Sequence, residues 1–251
     1  MKSLLKKFLP SSAKVWIREQ GARLLEIPWN RFDVPIALTK HLSPGKPISL
    51  VDVGASQGNF TFSLERYCGL RRALLIEPQP NRIEELKKRF SDPRFSFACA
   101  AAASENRVVD MEVLEWDYSS SLLPIRRDLA SAYGELNIDV REVIPVRTAT
   151  LDELCRDFDG PIDLLKVDVQ GAEEQVIAGA VTTLDRVKLI WMEVSFKPVY
   201  EGSETLEGMI GKCRQRGFIF THLEEGWRSA ANGELLCGDA LFIRAEDARA
   251  F

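Results

Sequence analysis

The stretch Val51-Asp52-Val53-Gly54-Ala55-Ser56-Gln57-Gly58 decides the fold. An apolar run over 48–53 stops at one glycine, and a second glycine stands four residues further on. A helical pattern over 60–67 follows at once. A buried strand turning sharply into a helix is the entry unit of an open α/β sheet, whose ligands sit at the carboxyl ends of the strands. Glycines let the backbone turn tightly and lie close to a ligand. The helix start offers N–H groups to a carboxylate.

Downstream, the same logic reads strands at 73–76, 95–100, 162–169, 189–194, 218–222 and 240–244. Helices fall at 80–90, at 151–158 behind a Thr150 cap, at 172–180, and at 205–216 closed by Gly217. The alternation Val109, Met111, Val113 reads as a β-hairpin arm. The long polar stretch 119–144 reads as a lid. Apolar strands alternating with amphipathic helices predict an α/β fold, a mostly parallel sheet with helices on both faces.

Residues 1–45 differ and are read as an N-terminal helical cap on a domain spanning 46–251. Leu4, Leu5, Phe8, Leu9, Val15, Trp16, Ile17, Leu24 and Leu25 recur at helical spacing, with lysines and arginines between them. Such a segment packs over the main domain, or its residues 1–30 touch a membrane surface or a partner enzyme. No apolar run approaches the ~20 residues of a span, and no secretory signal is read. The five cysteines, Cys68, Cys99, Cys155, Cys213 and Cys237, are odd in number and form no C-x-x-C pair. They read as reduced thiols rather than a disulfide framework or zinc site. The expected location is the cytoplasm, with a membrane-peripheral alternative. A net charge of -4 gives no basic footprint, so no nucleic-acid partner is expected. Nothing fixes an oligomeric state.

The loop also discriminates between nucleoside ligands. A dinucleotide site wants G-x-G-x-x-G beneath a pyrophosphate, and here the middle glycine is missing. The carboxylate of Asp52 is awkward beside a pyrophosphate but suits the ammonium of a methionine moiety and tolerates a sulfonium. This favours S-adenosylmethionine over a nicotinamide cofactor. Nineteen residues past Gly58, the second strand ends in Glu77-Pro78, where an acid can take both hydroxyls of a ribose.

These segments, with Ile76-Glu77-Pro78-Gln79-Pro80, Leu164-Leu165-Lys166-Val167-Asp168-Val169-Gln170-Gly171-Ala172-Glu173 and Glu193-Val194-Ser195, resemble the FkbM family of methyltransferases over residues 48–245. The resemblance implies a class I, Rossmann-like methyltransferase with a seven-stranded sheet, one strand antiparallel near its edge. It implies O-methylation of a sugar or polyketide hydroxyl. By that likeness Asp52, Gly54 and Gly58 hold the methionine part, Glu77 the ribose, and Ala100 or Ala101 border the adenine, with Ala55, Ser56 and Pro78 as further cofactor contacts. Where family members commonly carry Glu, this chain has Gln170.

The chemistry is read onto the strand at 162–169. Lys166 and Asp168 share one face, and charges in a buried strand are costly unless paired or functional. They form a structural ion pair, or Asp168 is a general base or hydroxyl anchor that Lys166 orients. Glu193 is a second acid or a cap on the pocket. His222 could act as a base or be structural. No metal is expected, although Asp168 and Glu193 could together attract a hard cation. Trp116, Tyr118, Ser119, Ser120 and Ser121 suit the stacking and hydrogen bonding of a polyol, or merely cover the site. The leading expectation is O-methyl transfer to a hydroxyl of a glycan or specialised metabolite. The alternative is a cofactor-binding scaffold of a biosynthetic assembly with little activity of its own.

Overall fold

The computed structural model describes residues 34–248, except 117, 118, 130, 131, 133, 135 and 136. Most of the expected N-terminal cap, residues 1–33, lies outside the described residues. Its described part is a short helix, α1 (Ile36–Thr39).

The chain then runs through β1 (Ile48–Val53), α2 (Asn59–Tyr67), β2 (Leu70–Glu77), α3 (Pro80–Arg89), β3 (Phe95–Cys99), β4 (Ala101–Ala102) and β5 (Arg107–Leu114). It continues through β6 (Val140–Ala149), α4 (Leu151–Leu154), β7 (Ile162–Val167), α5 (Glu173–Ala178), β8 (Val187–Ser195), α6 (Leu206–Gln215), β9 (Phe218–Glu225), β10 (Cys237–Arg244) and α7 (Ala245–Ala248). Seven strands form one sheet in the order β3-β2-β1-β7-β8-β10-β9. Only β10 is antiparallel to its neighbours, β8 and β9. From β1 the chain builds outward through β2 and β3, then returns to add β7 on the other side of β1. The β1/β7 junction is therefore the topological switch point, where such sheets open a crevice.

All six residues of β1 are buried because it lies at the centre and both faces are covered. Side chains alternate between two cores. Val51, Val53, Leu165 and Val167 pack with Val176 and Ile177 of α5 and Met209 of α6. Leu50 and Leu164 face the other way, against Leu64 of α2 and Ile83 and Leu86 of α3. Pro80 opens α3 at a position where its missing N–H is harmless. No described helix is long and apolar enough to cross a membrane.

Two local expectations are corrected. Residues 140–144, read as the end of a lid, begin the ten-residue strand β6, which pairs antiparallel with β5. This arm projects polar side chains, and Pro145 resembles a strand breaker, so the period was hidden. The helix expected over 151–158 stops at Leu154. Arg186 draws the carbonyls of Cys155, Phe158 and Gly160 towards its guanidinium, and helical pairing ends there. The expected cap is present, since the Thr150 hydroxyl accepts from the Glu153 N–H at 3.2 Å. All five cysteines are free.

Candidate active site

A cleft opens at the switch point. Gly54 and Ser56 line it from the β1–α2 turn, Glu77 and Pro78 from the end of β2, and Ala100 to Ala102 from beyond β3. Met111 of β5, Ser120 and Ser121 of the arm, and Asp168 and Gln170 after β7 complete it.

The turn is built by close backbone approach. A Cβ on Gly54, whose φ is +74°, would lie 1.9 Å from the carbonyl oxygen of Asp168. The Gly54 and Ala55 N–H groups donate to the Ile76 carbonyl at 3.0 and 3.1 Å, tying the turn to β2. Ser56 and Gln170, both lining the cleft, take positive φ without being glycine (46° and 57°). Gly58 has a different task. It caps α2, and a Cβ there would meet Phe90 and Leu86 at 2.5 and 2.8 Å. Gly58 and Ala55 thus shape the turn from beneath and do not line the cleft, contrary to the expectation of direct contact.

Glu77 matches its expected place. It is buried, its Oε2 accepts from the Ser56 N–H at 2.9 Å, and its Oε1 accepts from the Gln79 N–H at 3.1 Å.

Asp52 does not reach the cleft. It is fully buried, and its Oδ2 accepts from the Thr61 hydroxyl at 2.6 Å. Its Oδ1 lies 3.4 Å from Lys166 Nζ. Asp52 and Lys166 stand opposite each other in the β1/β7 ladder, on one face, so the sheet itself makes the pair. Lys166 Nζ donates to the Gly54 carbonyl at 2.7 Å and lies 3.5 Å from Asp168 Oδ2. Burial disfavours this ammonium, but the carboxylates of Asp168 and Asp52 outweigh it and hold its pKa above the ordinary lysine value. Lys166 therefore bolts the turn to β7 and touches Asp168 with the same charge. The carboxylate expected to meet a methionine ammonium is balanced inside the protein.

Asp168 faces the cleft with 39% of its side chain exposed. The Gln170 amide donates to Asp168 Oδ1 at 2.7 Å and to Glu193 Oε2 at 3.1 Å, while Gln170 Oε1 accepts from the Tyr200 hydroxyl at 2.9 Å. Glu193 does not line the cleft and joins it through Gln170. Burial, then the charges of Asp168, Glu173 and Asp239, push the Glu193 carboxyl well above the usual range. Beneath the loop, Glu173 accepts from the Val169 and Gly171 N–H groups at 3.1 and 3.2 Å. Burial raises its pKa to about 7 against the opposing pull of those N–H groups.

Glu173, Gln170's bridging role and Tyr200 were missed by the sequence reading. Glu173 left a signal, an acid in the first turn of a helix after a glycine, and Gln170 stood out as a departure from the family's Glu. His222 stands opposite Leu241 and lines a separate cavity with Lys40 and His41. Among the described residues, no three His, Cys, Asp or Glu side chains converge as a metal site would require. In the 116–124 stretch, Ser120, Ser121 and Leu122 line the cleft and Trp116 does not; Asp117 and Tyr118 lie outside the described residues.

The residues fit an adenosyl methionine. A buried acid ends β2, apolar Ile76, Pro78 and Met111 line the cleft, and the Gly54 turn brings the backbone close. Strand order and cleft together define a class I methyltransferase. The model of the methyltransferase FkbM domain matches residues 52–220. The chain is 30% identical over 173 residues to the 2-O-methyltransferase NoeI of Sinorhizobium fredii (strain NBRC 101917 / NGR234), covering 64% of this chain and 69% of NoeI. It belongs to the FkbM methyltransferase family, and its methyl donor is S-adenosylmethionine. It is similar to methyltransferase FkbM from Methylobacillus flagellatus KT, at 15% identity and a TM-score of 0.49, over 78% of this chain and 43% of that one. The chain thus spans less than half the length of that protein. Aeropyrum pernix fibrillarin in complex with S-adenosyl-L-methionine is similar at 14% identity and a TM-score of 0.46, over 84% of this chain and 76% of that one.

Proposed function

We infer that the chain methylates a hydroxyl group of a glycan or related polyol metabolite, with Asp168 as the base. The observation that carries this reading is the half-exposed Asp168 carboxylate at the switch-point cleft, gripped by Gln170 at 2.7 Å and flanked by Lys166 at 3.5 Å. The cofactor supplies an electrophilic methyl carbon on a sulfonium. An alcohol is a poor nucleophile until its proton is taken during attack, which requires an acceptor beside it. Asp168 can hold that proton at its exposed face while the held oxygens fix its direction.

The other residues bind and orient. Glu77 would hold the ribose, the Gly54–Ser56 backbone the methionine part, and Pro78, Ala100 and Ala101 the adenine. Ser120 Oγ accepts from the Leu114 N–H at 3.2 Å, which leaves its own proton to donate to an acceptor. Met111 and Leu122 help exclude water on that side. NoeI, by its name, methylates an oxygen, which supports an oxygen acceptor here.

The test is transfer of labelled methyl from S-adenosylmethionine to a panel of oligosaccharides, reduced sugars and phenols. The expected product is an alkali-stable ether on an aliphatic hydroxyl. Label found only on phenols, in base-labile esters or on amines would overturn the reading.

A further inference from the structure

We propose that Gln170 is a positioning residue whose carboxamide occupies the place of a cation, holding Asp168 and Glu193 together and aiming Asp168 into the cleft. This rests on the reading of Asp168 as the base.

A primary amide has two N–H protons, and here each meets a different carboxylate, at 2.7 Å on Asp168 and 3.1 Å on Glu193. The orientation of the amide is determined by its other end. Gln170 Oε1 faces the Tyr200 hydroxyl at 2.9 Å, and a reversed amide would set its oxygen against both acids. Tyr200 is itself fixed. Its hydroxyl lies 3.1 Å from the Ser119 carbonyl, and its ring fills the space where a Cβ on Gly171 would sit, 2.7 Å away. The backbone at Gln170 takes φ +57°, a strained state for a residue with a side chain, in the loop that presents Asp168.

The surrounding charges show why a bridge is needed. Lys166 serves the other oxygen of Asp168 at 3.5 Å. Glu193 forms no ion pair with a lysine or arginine among the described residues; besides Gln170 it meets the Cys237 thiol at 3.6 Å, with Glu173 and Asp239 as further acids nearby. Burial and the neighbouring acids push the Glu193 carboxyl well above the usual range, and two acids this close sit side by side only with a donor between them. The amide supplies both donors and adds no charge, and it holds Asp168 in one rotamer.

Gln170→Asn separates positioning from a merely structural role. Asn takes the left-handed backbone at least as readily as Gln but places its amide one carbon short. Expected is a fall in kcat of about tenfold or more, with acceptor KM and S-adenosylhomocysteine affinity within about threefold. A Gln170→Asn enzyme with wild-type kcat would overturn the proposal.

A second variant needs no acceptor substrate. Gln170→Glu keeps the length and the acceptor for Tyr200 but sets a third carboxylate between the two. Mn²⁺ binding, followed by electron paramagnetic resonance on the S-adenosylhomocysteine complex, should be about tenfold tighter or more than in the wild type, since hard cations take converging carboxylates. Equal binding would show that Asp168 and Glu193 do not converge on residue 170, and the proposal would fail. Gained Mn²⁺ binding beside a fully active Asp168→Asn enzyme would leave the bridge standing and remove only the base assignment.

Discussion

Asp52 and Glu77 are acids at the ends of adjacent strands, and in the sequence both look like ligand contacts. Only Glu77 faces the cleft. Asp52 is balanced by Lys166 and Thr61, because the β1/β7 ladder sets residues 52 and 166 directly opposite. Glu77→Ala should therefore weaken S-adenosylhomocysteine binding by about tenfold or more, roughly 1.4 kcal/mol, read by calorimetry. Unchanged affinity would remove Glu77 from the ribose role. The strand-end acid was legible because it follows from spacing alone. The partner of Asp52 was not, since it depends on which strand becomes the neighbour. Gln170 and Tyr200 lie 30 residues apart and meet only through the fold.

Among the elements, the β1–α2 turn and the loop after β7 depend on each other. Gly54→Ala would put a Cβ 1.9 Å from the Asp168 carbonyl at φ +74°. The expected cost is about 3 kcal/mol or more in denaturant unfolding, with loss of cofactor binding. A variant as stable as the parent would show that the two loops are not locked. Glu173 ties the second of these loops. Burial raises its pKa from the usual 4.5 to about 7, so the folded state binds this proton more tightly than the unfolded chain. Its contribution to stability is complete below 4.5 and is lost as the pH rises through about 7. Glu173→Gln keeps an acceptor for the two N–H groups without titrating. Its melting temperature should fall less between pH 5 and 8 than that of the wild type. An equally steep fall would show that Glu173 is not the group responsible. At this scale the central strands were legible because burial on both faces makes them mostly apolar. The arm strand β6 was not, because it is solvated and carries Pro145.

For the whole molecule, the order β3-β2-β1-β7-β8-β10-β9 is what turns local features into a site. It brings residues as distant in sequence as Gly54 and Asp168 into contact at the edge of one cleft. The alternation of strands and helices announced a mostly parallel sheet. The position of the antiparallel strand came from family resemblance, not from periodicity. The acceptor side is built from the arm and the 119–122 stretch, whose polar sequence carries no comparable rule.

In the proposed reaction Asp168 takes the acceptor proton in a cleft whose cofactor contacts are made by other residues. Single-turnover methyl transfer by Asp168→Asn, paired with calorimetry of S-adenosylhomocysteine, tests it most directly. The expected result is a rate lower by about 10²–10⁴-fold, the usual share of a general base, with cofactor affinity within about threefold. Wild-type transfer by Asp168→Asn would contradict the account.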